Sequence, residues 1–359
     1  MTEITKDISN KIANMGFLCA LLVVLIHCPK PGTIMDGVSS VRVLHSVLPG
    51  SLSGIANAFF FTAAGFFLAG HVLDEGWWKK EVKKRFHSLF IPYVVLNLCW
   101  FACVAAYQWP NIRFGETAHP FEWLDILRAL GFYDWGIPVD GPLWFVRTLL
   151  LLVMTFPLYA AVLKRGRIAA WSLVVLIFSL HVVFSGFVHL PGIWGRIFVS
   201  STVYRFWTIG FFCLGATLRL HGMPHISRRV GMALLLAGMV ISSFIRLTST
   251  DVDAEKEVGM RCLVFFLSCP MMIAGVWSIV SSKPWPKVLT GNTFPIYVLQ
   301  WPIIMTAYIV CGKTGTHNLI FGNPALALLF VAFVVVVTIL AAVVIRKNKL
   351  LFKLFLGGR

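Results

Sequence analysis

Charge is scarce in this chain. Asp, Glu, Lys and Arg together make up 13% of its 359 residues, and the acids number 15 against 31 bases. A soluble domain of this length could not cover its surface with so few polar groups. Metal-type CxxC spacing is missing as well. Cys19, Cys28, Cys99, Cys103, Cys213, Cys262, Cys269 and Cys311 all sit in or at apolar runs, where they read as small buried hydrophobes and not as disulfide or metal partners. The runs do not alternate with polar residues, which excludes a closed β-barrel. No internal repeat, low-complexity stretch or small-residue cleavage site stands out, so the first run reads as a retained helix. No zinc-finger or RNP-type pattern accompanies the net charge of +16. That charge therefore points to bases gathered on one membrane face, with no nucleic-acid partner.

What the chain has in quantity is hydrophobic length. Runs of about 20 apolar residues each suffice to cross roughly 30 Å of hydrocarbon. Ten spans are expected, at 12–29, 50–72, 89–108, 142–163, 168–186, 197–219, 229–247, 261–280, 293–311 and 324–345. Bases fall in alternate connections. Lys79, Lys80, Lys83, Lys84 and Arg85 lie in one, Lys164, Arg165 and Arg167 in the next, and Arg346, Lys347, Lys349, Lys353 and Arg359 in the tail. The intervening connections carry acids, among them Glu122, Asp125 and Asp140. The alternation predicts an all-α, polytopic membrane helical bundle of about ten transmembrane helices with both termini cytoplasmic. The chain reads as a single transmembrane domain over 1–359, with a short polar N-terminus (1–11) and a basic cytoplasmic tail (346–359). The longest connection, 109–141, has room for a short amphipathic helix around "FEWLDILRALGFYDW".

Ionisable groups within spans cost roughly 2.5–3.5 kcal/mol each on insertion scales, so the exceptions point to function. His27 closes the first span, in "CALLVVLIHCPKPG". Arg147 sits early in the fourth, Arg205 about two turns into the sixth, and Arg246 ends the seventh. In the predicted topology all four share the outer half. Arg246 reads as a snorkelling end residue. Arg205 is too deep for snorkelling alone and calls for a buried partner or a watery cavity. Asn57 and Asn97 are the polar candidates of the second and third spans. Trp144, Tyr204 and Trp207 flank these cations, as substrate-facing rings or as belt aromatics.

Several stretches together resemble one family. "GFLCALLVVLIH" is similar to the first-helix signature of the acyltransferase family 3 membrane proteins, in which an apolar helix ends in a histidine used for acyl transfer. "NAFFFTAAGFFLAG" (57–70), "KKEVKKRFHSLFIPY" (79–93), "LWFVRTLLLL" (from Leu143) and "GNTFPIYVLQWPI" (291–303) resemble its later motifs, in order and over nearly the whole chain. Two positions depart from it. Gly16 stands where the family pattern commonly has an arginine eleven residues before the histidine, and Gln300 stands at the late-helix histidine position.

The resemblance implies a multi-pass acyltransferase of the cytoplasmic (inner) membrane. It would move an acetyl or other acyl group from acetyl-CoA to a hydroxyl of a surface glycan or lipid-linked precursor. His27 would act as general base or acyl carrier, since a neutral imidazole suits either task near neutral pH. Arg147 and Arg205 would be catalytic cations that stabilise the oxyanion. Trp144, Asn57, Tyr204, Tyr297 and Gln300 are the expected substrate-binding residues. Lys83, Lys84 and Arg85 are the expected ligands for the acyl donor's phosphates, on the side where acetyl-CoA is available, though plain positive-inside topology also accounts for them. No metal is expected. Membrane lipid, acyl-CoA and the glycan are the expected partners, and the oligomeric state is left open, a homodimer included. Two competing readings remain. One is a transporter or flippase for an anionic or lipid-linked substrate, against which the missing repeat symmetry counts. The other is a degenerate member acting as sensor or scaffold, which Gly16 and Gln300 favour.

Overall fold

The computed structural model describes the whole chain except residues 1–2, 29–51, 53, 73, 75, 115–116, 134–135, 187, 189–191, 196–197, 199–204, 249–253, 322 and 359. The chain is an all-α polytopic membrane protein. Among the described residues, seven helices are long and apolar enough to cross a membrane.

Local signals in the sequence set the helix ends. Helix α1 (Lys6–His27) starts at Thr5, whose hydroxyl accepts from Ile8 N and satisfies one of the orphan donors of the first turn. Helix α2 (Gly54–Ala69) is short. Next come a basic helix α3 (Trp77–Arg85), one π-turn at Phe86–Phe90 and α4 (Ile91–Gln108). The expected third span thus continues a basic helix. The 109–141 connection holds the expected helix, α5 (Leu124–Ala129), preceded by a hairpin of β1 (Asn111–Phe114) and β2 (Thr117–Pro120) that hydropathy did not reveal. Helices α6 (Trp144–Leu163), α7 (Arg167–Gly186), α8 (Phe206–His221), α9 (Arg228–Thr248), α10 (Ala254–Ile279), α11 (Thr293–Thr314) and α12 (Pro324–Lys347) follow. Asn323 and Pro324 open α12 as N-cap and first-turn proline. Asn348 then caps a further helix, α13 (Lys349–Leu356). The basic tail is therefore folded, with Leu356 buried and Gly357 (φ 64°) closing against Ser88 of the π-turn.

Close packing of α2 on α8 forms the centre of the bundle. A Cβ on Gly65 would strike the Phe212 carbonyl, and one on Gly215 would strike the Thr62 carbonyl. Each helix approaches through the other's glycine, as helices in lipid do when small residues let their backbones meet.

Polar contacts fix which helix ends lie together. Asn14, fully buried, donates to Ser281 O (2.9 Å) and Lys283 O (2.8 Å) and accepts from Trp285 N (3.2 Å). Arg346 donates to Asn292 Oδ1 (2.7 Å) and Gly291 O (3.1 Å). The start of α1, the 281–292 connection and the basic end of α12 thus share one side, as the charge alternation predicted.

Candidate active site

His27 is the last residue of α1. Its Nδ1 lies 2.8 Å from Val23 O. A carbonyl only accepts, so Nδ1 carries the proton and Nε2 presents a lone pair. The backbone thereby selects the tautomer a general base needs. The ring stands edge-on to Trp301 of α11, centroids 5.6 Å apart.

Trp301 also reaches the turn before α6, its Nε1 donating to Val139 O at 3.1 Å. That turn is gripped from several sides. Tyr297 OH donates to Pro142 O (2.6 Å), and Asp140 N donates to Asn97 Oδ1 (3.1 Å). Asn97 in turn donates to Tyr93 O (2.8 Å). Arg147, 3% exposed, donates to Gly131 O and lies against the Tyr93 hydroxyl. It braces the end of the 109–141 connection against α4.

Depth follows from helix geometry. Tyr297 and Trp301 are the fifth and ninth residues of α11, roughly 6 and 12 Å from its start at 1.5 Å per residue. That start adjoins Gly291 and Asn292, on the basic side. The 139–142 turn therefore dips well into the bundle. His27, at the far end of α1, meets the same helix at Trp301.

Asp140 escaped the sequence reading, where it counted only as a loop acid. Its side chain is fully buried, and among the described residues neither carboxyl oxygen has a hydrogen-bond partner. Burial pushes its carboxyl well above the usual carboxylate range. The signal in "VDGPLW" was an acid placed directly before the Gly-Pro that opens a span. Tyr93 and Trp301 were also missed, since each sits in a motif that reads as merely apolar.

Of the expected substrate-binding residues, Tyr297 and Trp144 contribute rings to an aromatic floor. Gln300 is buried, its Nε2 donating to Tyr297 O (2.9 Å) and its Oε1 lacking a partner among the described residues. Asn57 lies one turn before Phe60 and Phe61 on α2, and its Oδ1 is likewise buried and unpartnered among the described residues. Phe60 meets Tyr297 (6.1 Å), and Phe61 meets Phe145 (4.4 Å) and Trp144 (6.3 Å). Trp144 meets Trp207 (6.2 Å). Tyr204 lies outside the described residues, as does the side chain of Arg246.

Arg205 belongs to a different neighbourhood. It precedes α8, and Thr208 Oγ1 donates to its carbonyl (2.7 Å). Its guanidinium is within electrostatic reach of His181 on α7 and Cys262 on α10. His181 is buried, 3.4 Å from Ser185 Oγ and 3.7 Å from Cys262 Sγ. Arg147 thus sits with Tyr93 and Gly131, and Arg205 with His181 and Cys262.

Lys83, Lys84 and Arg85 end α3. Lys83 and Lys84 are exposed, while Lys84 (3.4 Å) and Arg85 (3.3 Å) pair with buried Glu81. Among the described residues, no group of three or more His, Cys, Asp or Glu could hold a metal ion.

Comparison with known proteins gives this arrangement its context. The chain is 21% identical over 324 residues to the succinoglycan biosynthesis protein ExoH of Rhizobium meliloti (strain 1021), a stretch covering 86% of this chain and 82% of that protein. No solved structure matches it significantly. Residues 14–347 match the acyltransferase 3 family model, described as an acyltransferase domain. With that match running from within α1 to the end of α12, the chain belongs to the acyltransferase 3 family of integral membrane acyltransferases.

Proposed function

We propose that this chain spans the cytoplasmic membrane ten times with both termini inside, and that it transfers an acyl group from acetyl-CoA to a hydroxyl of a cell-surface glycan or its lipid-linked precursor. The observation that carries the chemistry is the His27 Nδ1 bond to Val23 O, which leaves Nε2 basic at the histidine position of the family signature. The glycan acceptor is supported by the relative named for succinoglycan biosynthesis.

In this reading Nε2 takes the proton of the acceptor hydroxyl as its oxygen attacks the thioester carbonyl. The new C–O bond forms, the tetrahedral intermediate collapses, and the C–S bond breaks. The departing CoA sulfur takes the proton back from the imidazolium, leaving the O-acyl ester and free CoA. Arg147, bound to Gly131 O, keeps the 131–142 segment against α4 and contributes cationic charge to the oxyanion. Arg205 contributes charge from the second cluster. Lys83 and Lys84, with Arg85 behind them, face the donor's phosphates. Trp144, Asn57, Tyr297 and Gln300 line the acceptor's path, with Tyr204 beyond the described residues.

The test compares surface glycans by mass in a strain lacking this chain, complemented with wild type or with His27→Ala. Loss of one acyl increment in the deletion, restored by wild type and not by His27→Ala, is the expected result. Equal glycan masses in all strains, with no CoA release from acetyl-CoA by purified protein, would leave the transporter or scaffold reading standing instead.

A further inference from the structure

We propose that Asp140 is an acceptor-binding residue whose carboxyl, together with Oε1 of Gln300, takes hydrogen bonds from hydroxyls of the sugar unit being acylated. This rests on the acyltransferase reading above and adds the element that recognises the acceptor.

A fully buried carboxyl without a partner is costly and rare. Its neighbours show that the turn does not need this side chain. Trp301 bonds Val139 O, Asn97 bonds Asp140 N, and Tyr297 bonds Pro142 O. Every clamp on the turn runs to its backbone and passes the carboxyl by. Gln300 shows the same bias, with Nε2 used on Tyr297 O and Oε1 unpartnered among the described residues. Tyr297 links the two, because one of its ends accepts from Gln300 and the other donates to the residue two after Asp140.

The unmatched atoms are acceptors, so their complement is a ligand rich in donors. The thioester carbonyl of an acyl donor offers none, the pantetheine arm offers scattered amide N–H groups and a single hydroxyl, and the phosphates of CoA would meet an acid. Sugar hydroxyls offer several, and Tyr297, Phe60 and Phe145 supply rings against which the C–H face of a pyranose can rest. In either protonation state a carboxyl keeps at least one acceptor oxygen. The same geometry favours the neutral, hydroxyl-bearing part of a glycan over an acidic substituent.

The experiment uses the full chain in detergent or nanodiscs, with acetyl-CoA as donor and alkali-deacylated surface polysaccharide as acceptor. Wild type, Asp140→Asn and Asp140→Leu are compared, with Glu122→Gln, an exposed acid of the same connection, as control. The expected result is an acceptor KM raised at least tenfold in Asp140→Asn and further in Asp140→Leu. The donor KM should stay within twofold, and the thermal midpoint should equal or exceed that of wild type. A merely structural acid would lower the midpoint and reduce activity in proportion, which would overturn the proposal. So would an acceptor KM within twofold of wild type. If wild type itself transfers no acyl group to the polysaccharide, the underlying functional reading fails, and that outcome is distinct from a failure at Asp140 alone.

Discussion

The imidazole of His27 and the indole of Trp301 meet edge to face, centroids 5.6 Å apart and planes at 82°. The same indole donates to Val139 O at 3.1 Å. One side chain thus ties His27 at the end of α1 to the turn that opens α6. Its position in α11 sets how far that turn dips into the bundle.

Removing that tie should loosen the proposed base His27 without removing it. In Trp301→Leu the imidazole keeps its Val23 bond but loses a wall, and the turn loses a clamp. Misplacement of a reacting group by about 1 Å can cost on the order of a hundredfold. We expect CoA release in the presence of acceptor to fall by roughly 10- to 100-fold. Trp301→Phe, which keeps a ring edge but not the N–H, should lie between that and wild type. His27→Ala should lose about 10²- to 10⁴-fold. Wild-type turnover in Trp301→Leu would separate the indole from the chemistry.

The α2–α8 contact gives a stability prediction independent of catalysis. A methyl on Gly65 or Gly215 meets backbone carbonyl, which cannot swing aside. Gly65→Ala and Gly215→Ala should each destabilise by about 1–3 kcal/mol through overpacking. That would appear as a lowered thermal midpoint in detergent. Gly312, helical with nothing within 4 Å of an added Cβ, is the control. Gly312→Ala should be neutral or slightly stabilising, since alanine is the better helix former. Identical midpoints for Gly215→Ala and Gly312→Ala would refute the contact.

Much of this was legible in the sequence because hydrophobic length and loop charge are read directly. The all-α membrane bundle is present, with seven helices among the described residues long and apolar enough to span where ten spans were expected. The family motifs pointed to His27 and Tyr297, and Tyr297 OH donates to Pro142 O in the turn before α6. What stayed hidden depends on long-range contact. Nothing in "VDGPLW" says that its turn bends inward to α11, so Asp140 read as a loop acid and Arg147 as part of one outer layer. The assignment of Arg205 to the His181–Cys262 neighbourhood needed the packing of α7 and α10, which no spacing encodes. The hairpin at 111–120 was missed because each strand is only four residues long, too short for an alternation to register.

The basic end of α3 yields a prediction about the donor. Arg85 and Lys84 are drawn to buried Glu81, whereas Lys83 is exposed. An exposed cation–anion contact contributes on the order of 1 kcal/mol. Charge reversal at Lys83 and Lys84 together should therefore raise the KM for acetyl-CoA by roughly tenfold. The effect should shrink at high salt, since exposed charges are screened. The acceptor KM should not move. A donor KM unchanged at low ionic strength would return these lysines to a purely topological role.

Asp140 gives the protein a pH signature. It stands just before the spanning segment that starts at Gly141, and burial raises its carboxyl well above the ordinary value of about 3.9. The folded chain therefore holds this proton more tightly than the unfolded chain. Between the two values the native state binds more protons, so stability falls as pH rises. The loss begins near the unfolded value and levels off once pH passes the folded one. Among the described residues, the ionisable groups close enough to act on Asp140 are Tyr93 and Tyr297, with Arg147 beside Tyr93. Phenols and guanidinium normally titrate far above this window. Asp140→Asn has no such proton to lose. Thermal midpoints from pH 4 upward should therefore show the variant gaining on wild type as pH increases, with the gap opening through the mildly acidic range. Parallel curves across the range would mean that Asp140 is solvated in the native protein, contrary to its burial beneath Trp301 and Tyr297.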